Sequence, residues 1–217
     1  TNKNMKIKLH TKPFHYITIN NLWSKHERQE MFDEIKLFES KSLFLNPEET
    51  SSAVSAEKEI LKKNKAQFWD EIWKDRSYSN VLRHNRKLFD VFNNKIVQKS
   101  WYFKGVYFNH DNTLVSYYEN SDYYKSHMDY SMVTALSYFF EEPKRFTGGK
   151  IKFTDYNLEF EVTNELTIIF PSNIKHEVSE IKLEDQYVGK GLGRFCMNQF
   201  INSETSYDQF INSGKAY

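Results

Sequence analysis

The stretch TLVSYYENSDYYKSHMDYSMVTALSYFF, Thr113–Phe140, contains two short runs of β-branched and aromatic residues separated by a polar segment. Both runs, TLVSYYE and VTALSYFF, have the composition of strands. Similar runs occur on either side, namely WYFKGVYF, KIKFTD, LEFEV, LTIIFP, HEVSEI and RFCMNQFI, and turn-forming clusters such as PSNIK divide them. About eight short strands at hairpin spacing predict a β-sandwich or barrel that begins near Trp101.

The chain before Trp101 shows helical spacing of apolar residues instead. Ser24 and Glu27 have the spacing of a capping box at the start of a first helix. A second helix is expected over residues 55–75, with Ser55 as its N-cap, and a third over residues 80–98. We expect these helices to pack on one sheet of the β region, which makes the predicted fold α+β.

The length of 217 residues suits one domain with a buried core. We predict a single domain over residues 1–217, with mainly helical residues 1–100, a β core over 101–202 and a tail over 203–217. No apolar run is long enough to span a bilayer, and no membrane partner is expected. A single cysteine, Cys196, fits a reducing compartment, so a cytoplasmic location is predicted.

The charges are nearly balanced, with 30 lysines and arginines against 29 aspartates and glutamates. This balance gives no reason to expect nucleic acid as a partner. Residues 58–104 are locally basic, with 12 basic and 5 acidic residues, and we interpret this excess as a solvated helix face.

Two residues in the polar segment have metal-ligating side chains. His127 and Asp129 are separated by one residue, and in an extended segment such residues point to the same side. A third ligand has to come from another strand. His176 is the candidate, because it begins the run HEVSEI directly after the proline turn of LTIIFPSNIK. We assign no chemistry to the other histidines, which are His10, His15, His26, His84 and His110.

Two histidines and one carboxylate form the facial triad of non-haem iron(II) oxygenases, with positions left for a co-substrate and O₂. Zinc is the rival metal for the same ligands. Arg194 bears on this choice, because it is a cation inside the apolar run GLGRFCMNQFI, and a charge there is costly unless it is paired. A guanidinium binds a carboxylate such as that of 2-oxoglutarate bidentately. The alternative is an edge-strand arginine that points outward.

Together these residues make the sequence resemble the iron(II)/2-oxoglutarate-dependent dioxygenases, and among them the prolyl 4-hydroxylase-like branch. A family motif has the form Y-x-x-G-x-x-Y-x-x-H-x-D, and its spacing is matched by Tyr118, Ser121, Tyr124, His127 and Asp129, with serine in place of glycine. FTGGKIKF, LTIIFPSNIKHEV and GRFCMNQFI resemble later motifs in the family's order. The resemblance covers about residues 101–202 and implies a double-stranded β-helix core of the jelly-roll or cupin type.

The resemblance also implies the cofactors and the roles of the site residues. Fe(II) would be bound by His127, Asp129 and His176, with 2-oxoglutarate and O₂ as co-substrates and ascorbate as a candidate reductant. Arg194 would pair with the distal carboxylate of 2-oxoglutarate, and Tyr118 would donate a hydrogen bond to it. Tyr138 is a candidate pocket residue or an ordinary core tyrosine. Arg194 follows His176 by 18 residues, a longer gap than the family's usual one, so Lys190 is the alternative cation.

The activity implied is hydroxylation of an unactivated C–H bond, with a prolyl residue of a peptide or protein as the expected substrate. A small molecule or another side chain is the alternative. A nucleic-acid demethylase of the same superfamily is disfavoured, because its second arginine is replaced here by Phe200. A third interpretation is a non-catalytic metal-binding β-barrel.

Overall fold

The computed structural model describes residues 5–50 and 58–204. Within these ranges the strands are β1 (Lys6–His10), β2 (Tyr16–Asn20), β3 (Lys65–Phe68), β4 (His110–Tyr118), β5 (Tyr124–His127), β6 (Val133–Phe139), β7 (Phe146–Gly148), β8 (Ile151–Phe153), β9 (Leu158–Phe160), β10 (Leu166–Pro171), β11 (His176–Val178), β12 (Ile181–Leu183) and β13 (Arg194–Asn202). The α-helices are α1 (Lys25–Ser40), α2 (Pro47–Thr50), α3 (Trp69–Ile72), α4 (Asn80–Asn85) and α5 (Phe89–Phe92). Short 3₁₀ helices cover Arg76–Tyr78, Arg86–Leu88, Val97–Lys99 and Asp185–Tyr187.

The strands form a seven-stranded main sheet in the order β1-β2-β10-β6-β13-β4-β3 and a four-stranded second sheet in the order β5-β11-β8-β9. β7 and β12 pair with each other. From β4 onward the chain passes back and forth between the two larger sheets, and later strands are inserted between earlier ones: β10 between β2 and β6, β13 between β6 and β4, and β11 between β5 and β8. This winding is the strand order of a jelly roll.

The main sheet buries both of its faces, and β13 shows how. Phe195 and Met197 join a core that includes apolar residues of the helices, whereas Cys196 joins the core between the two sheets. Side chains alternate across a strand, so Arg194 points to the same side as Cys196. The face between the sheets therefore receives both apolar residues and the one arginine of this strand.

Helix α1 lies against the outer face of the main sheet. Its capping box is formed, with the Ser24 hydroxyl accepting from the Glu27 N–H and the Glu27 carboxylate accepting from the Ser24 N–H. Phe32 packs on Phe139 of β6 and Phe195 of β13, with ring centroids 6.1 and 5.7 Å apart. The helix covers the sheet on the side opposite the second sheet.

The two later helices predicted from spacing are wrong over the described residues. Ser55 lies outside them, and residues 58–68 form an extended segment that ends in β3. Over residues 80–98 the single predicted helix is replaced by α4, α5 and two of the 3₁₀ turns. In the first case burial alternates with a period of two residues, as in a strand. Lys62, Asn64 and Ala66 are buried, while the lysines between them are exposed.

The N-terminal half contributes more strand than expected. β1 and β2 extend the main sheet at one edge and β3 extends it at the other, so the described part of residues 1–100 contains strands as well as helices. The predicted strand WYFKGVYF is a turn, with Gly105 at a φ of 73°, and β4 begins only at His110. No helix within the described ranges has the length and apolar character needed to cross a bilayer.

Candidate metal centre and its cavity

The three residues predicted to bind a metal lie together at one end of the space between the sheets. His127 ends β5 and His176 begins β11, and these two antiparallel neighbours pair directly with each other. Asp129 follows in the loop towards β6. One ligand atom from each of the three side chains lies within 4.8 Å of the others. Strand pairing therefore joins a histidine to a His-x-Asp pair that is far from it in sequence.

Hydrogen bonds determine which nitrogen of each imidazole is available. Nδ1 of His127 lies 2.8 Å from the carbonyl oxygen of Lys125, and Nδ1 of His176 lies 2.9 Å from that of Ile174. A carbonyl can only accept, so both Nδ1 atoms carry the proton and both Nε2 atoms have an available lone pair. These Nε2 atoms lie 3.9 and 3.5 Å from the carboxylate oxygens of Asp129.

A chain of buried hydroxyls holds Asp129. The Thr134 hydroxyl donates to Asp129 Oδ2 at 2.6 Å and lies 2.9 Å from the Ser172 hydroxyl. The Asp129 backbone N–H donates to the Ser172 carbonyl at 2.9 Å, and Ser131 reaches the Ser172 hydroxyl at 2.6 Å. Groups that orient a ligand in this way preserve the geometry of a metal site.

Burial sets the protonation of the three side chains. Desolvation lowers the pKa of His127 to about 4, with a further contribution from His176, and it lowers the pKa of His176 to about 4. Both imidazoles are therefore neutral at pH 7, which is the form that binds a metal. Burial raises the pKa of Asp129, because a desolvated carboxylate is less stable than its protonated form.

The donor set fits a divalent ion. Two neutral imidazole nitrogens and one oriented carboxylate suit Fe(II) with open coordination positions, and the same set suits Zn(II).

Arg194 provides a candidate anion-binding group beside the candidate metal ligands. It is the first residue of β13 and is only 1% exposed. Its guanidinium carbon lies between two rings, 4.7 Å from the centroid of Tyr118 and 4.8 Å from that of Tyr138. Nε and Nη1 are buried and have no hydrogen-bond partner among the described residues. An uncompensated buried cation costs several kcal/mol, so this group is suited to bind an anion.

The two tyrosines predicted for the pocket differ in position. Tyr118 lines the cavity described below, whereas Tyr138 packs behind Arg194 with its hydroxyl buried and without a partner in the described part of the chain. Burial raises the pKa of both hydroxyls, so both are protonated donors at neutral pH. The alternative cation, Lys190, is exposed in the loop before β13.

A cavity of about 380 Å³ connects these groups. The residues that line it include the three candidate ligands, Tyr118 and Arg194, and also Thr50, Lys62, Asn64, Tyr124, Ser116, Asn198 and Asn202. The candidate metal site and the buried guanidinium thus face one cavity.

Several residues of this cavity were not predicted from the sequence. Lys62 and Asn64 lie in a predicted helix, and the polar run in LKKNKAQF shows no alternation of polar and apolar residues that would place them inward. Thr134 and Ser172 carried no signal, because a hydroxyl beside a ligand is evident only once the strands are paired.

Comparison with known proteins is informative at the level of structure. No family model matches the chain, and no curated protein matches it by sequence. A prolyl-4-hydroxylase from Pseudomonas putida matches with a TM-score of 0.58 at 13% identity, covering 87% of this chain and 92% of that one. A 2OG-Fe(II) oxygenase family protein from Burkholderia pseudomallei matches with a TM-score of 0.51 at 11% identity, covering 89% and 88%.

A third solved structure extends the range of chemistry found on this fold. The non-heme alpha-ketoglutarate-dependent epimerase SnoN from nogalamycin biosynthesis matches with a TM-score of 0.55 at 11% identity, covering 85% of this chain and 76% of that one. At these identities the likeness concerns the fold and not the activity. The chain has the jelly-roll fold of 2-oxoglutarate/Fe(II) oxygenase structures, among them a prolyl 4-hydroxylase.

Proposed function

We propose that the chain is an Fe(II)- and 2-oxoglutarate-dependent oxygenase that hydroxylates an unactivated C–H bond. The observation that carries this proposal is the shared cavity, in which His127, Asp129 and His176 face the same space as the buried guanidinium of Arg194, whose Nε and Nη1 have no hydrogen-bond partner among the described residues. A hydrolytic zinc site has no need of a buried arginine suited to a dicarboxylate. The fold shared with oxygenase structures supports the same conclusion.

The residues would divide the work as follows. His127, Asp129 and His176 would hold Fe(II), and Thr134 would keep the Asp129 carboxylate oriented towards it. Arg194 would bind the distal carboxylate of 2-oxoglutarate bidentately, with Tyr118 as a second donor. When bound, the iron and 2-oxoglutarate supply the oxidising chemistry with O₂.

For the substrate, we propose a prolyl residue of a peptide or protein. Support comes from the Pseudomonas putida structure, which is that of a prolyl-4-hydroxylase. A small molecule is the second candidate, since SnoN is an epimerase of a biosynthetic pathway on the same fold. We propose ascorbate as a reductant that sustains turnover, and a cytoplasmic location.

Anaerobic titration tests the cofactor proposal directly. Addition of 2-oxoglutarate to the Fe(II)-loaded protein should produce the weak visible charge-transfer band of the chelate, and this band should be absent with Zn(II). Failure to form the band, together with zinc recovered on metal analysis of the purified protein, would refute an oxygenase.

A further inference from the structure

The extended segment before β3 closes one side of the cavity. Residues 59–64, which we call the strap, run beside β5 at the edge of the second sheet. The Lys125 N–H donates to the Leu61 carbonyl at 2.8 Å, and the Lys63 N–H donates to the Tyr123 carbonyl at 3.1 Å. The strap then continues into β3 at the edge of the main sheet. It therefore joins the edges of the two sheets.

The strap directs two polar side chains inward. Lys62 and Asn64 are each 2% exposed and line the cavity, whereas Lys63 between them is exposed. Inward positions of an extended segment are normally apolar when the outward ones are charged. A lysine and an asparagine at both inward positions are costly unless their polar groups are satisfied by neighbouring residues or by a ligand.

Lys62 is placed close to the candidate metal ligands. Its ammonium donates to the Thr50 hydroxyl at 2.9 Å and lies 5.6 Å from the ring centroid of Tyr124. That ring stacks on the imidazole of His127, with centroids 3.6 Å apart. One tyrosine ring therefore separates the ammonium from a candidate ligand. Burial lowers the pKa of Lys62 to about 8, so the group stays mostly protonated at pH 7.

Asn64 supplies the opposite kind of hydrogen-bonding group. Its Nδ2 donates to the Lys65 carbonyl at 3.3 Å, whereas its Oδ1 is buried and has no partner among the described residues. A buried acceptor left unpaired destabilises the fold, so it is suited to a ligand that brings a donor. A sulfate or a fully ionised phosphate brings only acceptors and cannot satisfy it.

Anchoring of the strap does not require these side chains. Backbone bonds to β5 hold it, and beyond it Ala66 exchanges two backbone hydrogen bonds with Leu45, at 2.8 and 3.1 Å. An apolar residue at position 62 or 64 would preserve all of these contacts. The backbone bonds therefore hold the strap, and Lys62 adds its side-chain bond to Thr50.

We propose that Lys62 and Asn64 bind the carboxyl end of the substrate, with the carboxylate on the Lys62 ammonium and the adjacent N–H donated to Asn64 Oδ1. This inference rests on the proposed function and narrows its substrate class to molecules with an α-amino-acid terminus. Such a terminus belongs either to the C-terminal residue of a peptide that follows the target proline or to a free amino acid. Arg194 remains the site of the co-substrate.

The test uses pooled probes and a matched pair of variants. The protein is loaded with Zn(II) and 2-oxoglutarate and mixed separately with three pools. The first contains Pro-Xaa dipeptides, the second contains the same dipeptides as C-terminal amides, and the third contains free L-amino acids. Saturation-transfer difference NMR measures binding of each pool. Lys62→Met removes the inward charge at similar length, and Lys63→Met removes the neighbouring outward charge. Asn64→Leu removes the unpaired acceptor at similar volume.

We expect wild-type protein to bind members of the dipeptide pool or of the amino-acid pool. Which pool binds shows whether the substrate is a peptide or a free amino acid. The amides should bind at least tenfold more weakly. Lys62→Met and Asn64→Leu should each lose at least tenfold in affinity for the bound probe, and Lys63→Met should not change it. The melting temperature of Lys62→Met without ligands should stay equal or rise. A fall would indicate a structural lysine and overturn the inference.

Two further outcomes would also overturn it. Equal binding of acids and amides, or no binding of any pool by protein that forms the Fe(II)/2-oxoglutarate chelate, would remove the substrate subsite and leave the proposed function intact. A tenfold weaker response of the chelate band to 2-oxoglutarate in Lys62→Met would assign Lys62 to the co-substrate. Absence of the band in wild-type protein would refute the proposed function itself.

Discussion

Arg194 and Tyr118 are direct partners in the antiparallel pairing of β13 with β4, and the guanidinium carbon lies 4.7 Å from the tyrosine ring centroid. This pairing places a cation and a phenol donor side by side on the face between the sheets. If β13 were shifted by one residue against β4, the side chains of β13 would point to the opposite face of the sheet. Arg194 and Tyr118 would then no longer face the same side, and the two could not bind a dicarboxylate together.

Arg194→Met should weaken 2-oxoglutarate binding by at least about 100-fold, the loss expected when two charge-assisted hydrogen bonds disappear. Metal content should be retained, and the ligand-free protein should be no less stable, because the buried charge is removed. The measurement is the 2-oxoglutarate dependence of the chelate band. Lys190→Met is the matched control, and an equal loss in that variant would move the anion site to the loop before β13.

His176→Ala should abolish succinate release and lower the iron bound per chain, because only two ligands remain. His26→Ala removes an imidazole whose side chain is 83% exposed on α1 and should leave both quantities unchanged. Iron analysis after desalting, together with a succinate assay, checks both variants. Succinate release at the wild-type rate from His176→Ala would exclude this histidine from the metal site.

Thr134→Val should reduce metal affinity by about 10–100-fold, because it removes the hydroxyl that orients Asp129 while preserving side-chain shape. Thr167→Val is a suitable comparison, since the Thr167 hydroxyl pairs with Ser137 at 2.9 Å and is equally buried. Competition with a metal chelator measures the two affinities. If both variants weaken binding equally, the effect is a general one on the sheet rather than on Asp129.

Ser121→Gly should raise the free energy of unfolding by about 0.5–1 kcal/mol. Ser121 has a φ of 65°, in the left-handed region, where a side chain costs about 1–2 kcal/mol and part of the gain is lost to the flexibility of glycine in the unfolded chain. Ser126→Gly, in extended β5, should instead lower stability. Urea unfolding of both variants gives the comparison, and a loss of stability in Ser121→Gly would show that the serine side chain has a stabilising contact.

Asp122→Asn should raise the free energy of unfolding relative to wild type, and this gain should grow as the pH rises from about 4 to 6. Burial, with a contribution from the Glu119 charge, raises the pKa of Asp122 from 3.8 to about 6. A raised carboxyl pKa means that the folded state holds the proton more tightly, so stability is lost as the pH rises between these two values. The amide can still accept from the Glu119 N–H, which lies 2.8 Å from the aspartate oxygen.

After allowance for partial solvent screening, the gain in Asp122→Asn at pH 7 relative to pH 4 should be about 1–2 kcal/mol. Urea unfolding at a series of pH values measures it. A difference between variant and wild type that stays constant with pH would mean that Asp122 is not the group responsible.

The sequence by itself determined which residues have the chemistry of the site. His127 and Asp129 are close in the chain and share a side by the period of a strand, and Arg194 is conspicuous as a cation inside an apolar run. The β-rich second half was equally readable from its short apolar runs. These features are local, and local composition and spacing record them directly.

Only the tertiary structure decided what surrounds those residues. Local spacing predicts a helix for the strap, whereas its actual partner, β5, lies about sixty positions away in the chain. In the same way β2 pairs with the distant β10, and β1 joins the sheet through β2. Strand formation depends on such distant partners far more than helix formation does. For the same physical reason, the inward positions of Lys62 and Asn64, and with them the proposed substrate end of the cavity, became visible only in the folded chain.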